Sequence, residues 1–135
     1  MPDCIFCKII AGELPSAKVY EDEDVIVFLD IAPVNPGHTL VVPKKHYADF
    51  LELPDDLVIK LILTIKKMAP AVMKGLNVTG FNLGLNNGGV AGQIVDHCHF
   101  HIMPRLANDG RQLWYGQKYE MGEMEETAQK IRKSL

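Results

Sequence analysis

The run His97-Cys98-His99-Phe100-His101-Ile102-Met103-Pro104 sets three of the chain's five histidines two residues apart, with apolar residues between them. A period of two belongs to a β-strand, whose side chains point to opposite faces in turn. His97, His99 and His101 are therefore predicted to share one face. Cys98, Phe100 and Ile102 share the other and can enter a core. Histidines two apart on a strand are separated by roughly 6.6 Å, from about 3.3 Å of rise per residue. Imidazole is the side chain whose unperturbed pKa lies nearest neutrality, so such a ladder suits proton transfer, metal binding or nucleophilic attack. A merely solvated strand face would carry Lys, Glu or Thr instead.

Two further features could do chemistry. Asn86-Asn87-Gly88-Gly89-Val90-Ala91-Gly92-Gln93 is a polar loop just before the ladder. Its glycines let backbone N–H groups approach a ligand closely, and successive free N–H groups form anion-binding concavities. A phosphate cradle beside three imidazoles is a coherent site. Cys4-x-x-Cys7 is a thiol pair at the spacing of metal ligands or of a redox motif. The redox use would follow a strand in a βαβ unit, and none is visible here. A closed tetrahedral zinc site needs two more ligands.

These residues resemble the histidine-triad (HIT) family of nucleotide hydrolases and transferases, whose motif alternates histidine with hydrophobic residues. The likeness extends to Cys4-Ile5-Phe6-Cys7-Lys8-Ile9-Ile10, to Phe28-Leu29-Asp30-Ile31 and to Pro36-Gly37-His38-Thr39-Leu40-Val41-Val42-Pro43-Lys44-Lys45-His46, in family order and spacing. It is greatest to the small bacterial branch related to the adenosine phosphoramidases. The resemblance implies a HIT-like α+β fold and a structural zinc held by Cys4, Cys7, His46 and His97. It makes His99 the nucleophile toward the α-phosphorus of a purine nucleotide derivative, of AMP or GMP type. A nucleotidyl-histidine intermediate forms, and water releases the nucleoside monophosphate. His101 contacts the phosphate, and His38 orients a catalytic imidazole. Gln93, with the backbone of Gly92, holds phosphate oxygens, and Asn86 positions the phosphate or ribose. Asp30 accepts from ribose hydroxyls, and Phe6, Ile9, Phe28 and Ile31 form the slot for the base. Asp30 has a plainer reading as a turn-former before Ile31-Ala32-Pro33. Ile94 departs from the Ser or Thr often found there in relatives, which weighs against protonating an amine leaving group. A dinucleoside polyphosphate hydrolase is the nearest alternative activity. A nucleotide-binding regulatory protein with weak catalysis is another.

The elements that must position these groups follow from the pattern. Residues 4–12 read as a short helix closed by Gly12. Lys18–Asp22, Val25–Leu29, His38–Val42, Phe81–Leu85 and the ladder read as strands of a five-stranded antiparallel sheet. Between the third and fourth strands a long helix runs from about Asp55 to Gly75, with Pro70 expected to kink or loosen its last turn. Its apolar residues are spread more widely than one packed face needs, which predicts a second covering surface. A homodimer is the expected solution, since two-fold pairing is the commonest one. A charged amphipathic helix, 121–133, closes the chain, and residues 106–135 are expected to pack on the domain, with Trp114 reaching a partner subunit.

At 135 residues the chain is long enough for one domain with its own core. Its 14 basic and 17 acidic residues give a net charge of −3, which argues against a general nucleic-acid surface. No stretch approaches a transmembrane length, no secretory signal is visible, and three cysteines do not suggest a disulfide framework. The expected location is the cytoplasm.

Overall fold

Two β-branched runs lie at the middle of the fold, in a computed structural model that describes residues 3–135. They are β2 (Val25–Leu29) and β3 (Thr39–Pro43), and nearly every residue in them is buried. With β1 (Lys18–Glu21), β4 (Gly80–Leu85) and β5 (Phe100–Arg105) they form a five-stranded sheet in the order β1-β2-β3-β5-β4, antiparallel throughout. β2 and β3 read as unbroken apolar runs because both faces of the sheet are covered. Val25, Val27, Val41, Phe100 and Ile102 face the long helix described next, while Ile26, Phe28, Leu40 and Val42 face the short N-terminal helix α1 (Ile5–Ile10) through Phe6.

That long helix, α2 from here on, spans Asp55–Leu76. Asp55 and Asp56 sit in its first turn, where the helix dipole favours carboxylates. Asn77, in the left-handed conformation at φ 54°, ends it. Leu61, Ile65, Met68 and Val72, three and four residues apart, are buried against the sheet. Ile59, Ile62 and Leu63 are 61%, 43% and 60% exposed on the other side. The broad apolar surface predicted for this helix is therefore present, and part of it lacks a covering element among the described residues. The helix continues six residues beyond Pro70, since its packed face lies along the sheet to Val72.

One expectation needs correction. The ladder is not wholly a strand, because β5 begins at Phe100. The last pair with β3 is Val41↔Phe100, and upstream of it the Cys98 N–H donates to the Tyr47 carbonyl at 2.7 Å instead of to a strand. The alternation of faces nevertheless persists, and Cys98 joins Phe100 and Ile102 in the core. The C-terminal segment is anchored at its root. There Arg105 makes a two-pronged ion pair with Asp109, whose carboxylate also accepts from Asn35. Farther on, Trp114 is 88% exposed, and α3 (Glu123–Lys133) has no buried residue. A helix with so few apolar residues has little surface to gain by packing. Among the described residues no helix is long and apolar enough to cross a membrane.

Candidate active site and metal centre

Cys4 caps α1, and its sulfur accepts from the Cys7 N–H one turn on. This places both thiols at the same end of the helix. His46 follows β3, and His97 lies fully buried just before β5. One ligand atom from each of these four residues lies within 4.8 Å of all the others. Cys4 Sγ is 3.4 Å from His97 Nδ1, Cys7 Sγ is 3.3 Å from His46 Nδ1, and the two Nδ1 atoms are 3.2 Å apart. Tetrahedral zinc with ordinary bond lengths separates its ligand atoms by about 3.3–3.8 Å, so the donor set fits that ion. His97 Nε2 donates to the Pro43 carbonyl at 2.7 Å, leaving the Nδ1 lone pair toward the cluster. Burial holds the His97 pKa down to about 4, so the ring is neutral, as a ligand must be.

The same stretch of chain presents His99. Its Nδ1 donates to the His97 carbonyl at 2.7 Å, which leaves a lone pair on Nε2. Burial lowers its pKa, favouring the neutral ring. His101, on β5, stands beside it with ring centroids 4.9 Å apart. His38 immediately precedes β3, and its Nε2 lies 2.9 Å from His101 Nδ1. The Asp30 carboxylate is 3.7 Å from that same Nε2. The Val34 N–H donates to His38 Nδ1 at 3.0 Å. Burial pushes His38 down and holds His101 at about 4, with the neighbouring His99 and His38 adding to the second shift.

A cavity of about 350 Å³ opens in front of these rings. Phe6, Ile9, Phe28, Asp30, Ile31, Asn86, Gly92, His99 and His101 line it, all of them residues singled out from the sequence. Phe6 meets His99 edge-on at 5.0 Å and Phe28 at 5.5 Å, so α1 supplies one wall. Ile5, Leu29, Leu40, Ile94 and Val95 complete it. Sequence reasoning did not assign Leu40 or Val95 to the site, because an apolar residue facing a cavity reads the same as one facing a core. Asp30 combines both of its readings: one oxygen accepts from the Ala32 N–H at 2.8 Å, and the side chain also borders the cavity.

Two residues assigned to the site from the sequence do not line this cavity. His38 stands behind His101. Gln93 is buried, and its side-chain amide is used by backbone groups of the protein. Its oxygen accepts from the Gly88 N–H, and its nitrogen donates to the Ala48 and Val95 carbonyls. Its side chain thus shapes the loop, while the adjoining Gly92 borders the cavity with φ 95°, a conformation that favours glycine. The Asn86 amide donates to the Gly92 carbonyl at 3.3 Å, tying the two ends of the loop. The Pro43 carbonyl and the Val34 N–H, which direct His97 and His38, are backbone groups that no residue type announces.

Comparison with known proteins agrees with this geometry. The HIT domain profile matches residues 11–108. An uncharacterized HIT-like protein of Methanocaldococcus jannaschii is 56% identical over 114 residues, covering 84% of this chain and 88% of that one. An adenosine 5'-monophosphoramidase of Candida albicans is 42% identical over 106 residues, covering 76% and 70%. The crystal structure of a Streptococcus mutans protein superposes with a TM-score of 0.92 at 43% identity, covering 99% of this chain and 86% of that one. A zinc-bound histidine triad family protein of Mycobacterium smegmatis does so with 0.79 at 31% identity, covering 99% of each.

Proposed function

Because this chain belongs to the HIT family, we propose that its histidine pocket hydrolyses purine nucleotide derivatives at the α-phosphate, with an adenosine phosphoramidate type of substrate. The observation that carries this reading is the Nδ1–H contact of His99 to the His97 carbonyl, which leaves a lone pair on Nε2 of a buried neutral ring at the cavity wall. A neutral imidazole needs no partner to remove a proton before it attacks. Nε2 forms a bond to the α-phosphorus as the phosphorus–nitrogen bond to the leaving amine breaks. The amine departs with a proton from solvent at the cavity mouth, where Ile94 offers no hydroxyl and is 93% exposed. Water then displaces His99, giving the nucleoside monophosphate and the free ring. Phe6, Ile9, Phe28 and Ile31 hold the base, Asp30 takes the ribose hydroxyls on its remaining oxygen, and Asn86 and Gly92 lie on the phosphate side.

Cys4, Cys7, His46 and His97 would hold zinc, which would tie α1 to the segment carrying His99 and supply no Lewis acid to the reacting phosphate. The zinc-bound Mycobacterium smegmatis relative supports this assignment. The similarity to the Candida albicans adenosine 5'-monophosphoramidase supports the choice of substrate. So does the cavity's charge: among the described residues no Lys or Arg lines it, so a polyphosphate leaving group would meet no basic side chain from them. The partner that covers Ile59, Ile62 and Leu63 is a second copy of the chain. The deciding experiment is a side-by-side rate measurement on an adenosine phosphoramidate and a diadenosine polyphosphate. Faster turnover of the first supports the reading. Faster turnover of the second transfers the chain to the alternative class, and AMP binding without turnover of either makes it a nucleotide-binding regulator.

A further inference from the structure

Residues 47–50, which follow His46 between β3 and α2, hold the surroundings of the cavity from two sides. We propose that this segment, through the side chain of Asn87, sets the glycine-rich loop against His99, which makes Asn87 a positioning residue for the reaction. The inference deepens the functional reading above and rests on it for the chemistry at His99.

Toward β5 the segment grips the residues on either side of His99. The Tyr47 carbonyl accepts the Cys98 N–H at 2.7 Å. The Phe50 ring meets the Phe100 ring edge-on, with centroids 6.1 Å apart. Cys98 and Phe100 both enter the core, so these grips reach the chain from behind the cavity. Toward the loop the segment holds both stems. The Phe50 N–H donates to Asn87 Oδ1 at 2.9 Å, and the Ala48 carbonyl accepts from the Gln93 side-chain amide at 2.7 Å. A backbone N–H can only donate, so the oxygen of the Asn87 amide is the atom that faces Phe50. The segment is stiffened by its own bonds. Asp49 caps a short 3₁₀ helix, Phe50–Glu52, by accepting from the Leu51 and Glu52 N–H groups, and the Ala48 N–H donates to the Glu52 carboxylate.

Two adjacent asparagines therefore have separate tasks. Asn86 is exposed, borders the cavity and donates to the Gly92 carbonyl. Asn87 is half-buried, does not border the cavity and commits its oxygen to Phe50. Without that oxygen the Phe50 N–H loses its partner and one stem of the loop is released, while Gln93 still holds the other. The loop can then pivot, carrying Asn86 and Gly92 away from the phosphate side. The apolar slot for the base stands on α1 and β2, which this clamp does not touch. Displacing reacting groups by about 1 Å can cost about 10²-fold in rate, so a clamp remote from the substrate can govern turnover.

The test compares Asn87→Leu, similar in size but without an acceptor, with Asn87→Asp, which keeps an oxygen toward Phe50. Amide hydrogen exchange of the nucleotide-free proteins reads the clamp alone. In Asn87→Leu the Ala91, Gly92 and Gln93 amides, which bond to the Gly88 and Gly89 carbonyls, should exchange faster, with the amides of β2 and α2 unchanged. Asn87→Asp should keep wild-type exchange. With an adenosine phosphoramidate, Asn87→Leu should lower kcat by about tenfold or more. Calorimetry on the same sample should give wild-type affinity and stoichiometry for adenosine, and Asn87→Asp should restore kcat. A merely destabilising substitution would lower the adenosine stoichiometry in step with kcat, and that result overturns the proposal. So does unchanged loop exchange in Asn87→Leu, an unchanged kcat in a protein whose loop exchange has quickened, or a kcat in Asn87→Asp as low as in Asn87→Leu. Wild-type protein that turns over no adenosine phosphoramidate refutes the functional reading, and loop exchange still decides the clamp, because it needs no ligand.

Discussion

The His97 carbonyl accepts the Nδ1–H of His99 at 2.7 Å, while the same His97 turns its own Nδ1 toward the Cys4, Cys7 and His46 side chains of the candidate metal cluster. The residue that completes the cluster therefore also sets the tautomer of the candidate nucleophile, through two residues of backbone. This relationship joins the candidate metal cluster to the candidate nucleophile through two residues of backbone, and it shapes what each substitution should do.

His99→Ala should abolish nucleotidyl transfer, with a loss on the order of 10³-fold or more. AMP should still bind, because Asp30, the apolar slot and the loop remain. Steady-state rates with a fluorogenic adenosine phosphoramidate, paired with calorimetry on AMP, check both halves. Wild-type turnover by a contamination-free His99→Ala sample refutes the mechanism.

Cys4→Ser combined with Cys7→Ser should remove zinc and lower the melting temperature, since binding at such a site is coupled to folding. Activity should fall less than in His99→Ala, because no ligand of the cluster lines the cavity. Elemental analysis of protein prepared without chelators should give about one zinc per chain. Absence of zinc even after its addition sinks the assignment.

Ile59→Glu with Leu63→Glu should convert a dimer into a folded monomer, because both side chains point away from the chain's own core. Leu61→Glu should instead unfold the protein, since Leu61 is fully buried against the sheet. Leaving the exposed stripe wet in a monomer would add to the apolar patch that soluble proteins usually cover. Sedimentation of the wild type near 15.1 kDa at micromolar concentration counts against the dimer.

Acid should destabilise the protein through His101. The unfolded ring takes its proton below its ordinary value of 6.5, and the folded ring only below about 4. Between these values the unfolded chain binds more protons, so stability falls as the pH falls. The contribution is full above pH 6.5 and lost by about pH 4. His101→Gln, which leaves the metal ligands intact, should flatten the pH dependence of unfolding by up to about one proton. An identical slope in both proteins would falsify this contribution.

Much of the site was legible in the linear order of residues. The period of two put Cys98, Phe100 and Ile102 into the core and the histidines on the opposite side, because alternation of side chains is a local property of extended backbone. Cys4-x-x-Cys7 places two thiols one helical turn apart wherever that helix sits. The wide apolar surface of α2 followed from its composition alone.

What the sequence could not determine depends on long-range partners. The ladder's first two histidines precede β5 because Cys98 bonds to Tyr47 and His97 to Pro43, and those partners are brought near only by the folding of β3 against β5. Gln93 carries the right groups to hold a phosphate, yet the Gly88 N–H and the Ala48 and Val95 carbonyls occupy them. His99 Nδ1 meets the His97 carbonyl while His101 Nδ1 meets His38 Nε2, a difference between two like residues that no residue type announces. Residue type sets what a side chain can donate or accept, and only tertiary structure decides which partner meets it, because hydrogen bonds are short-ranged and directional.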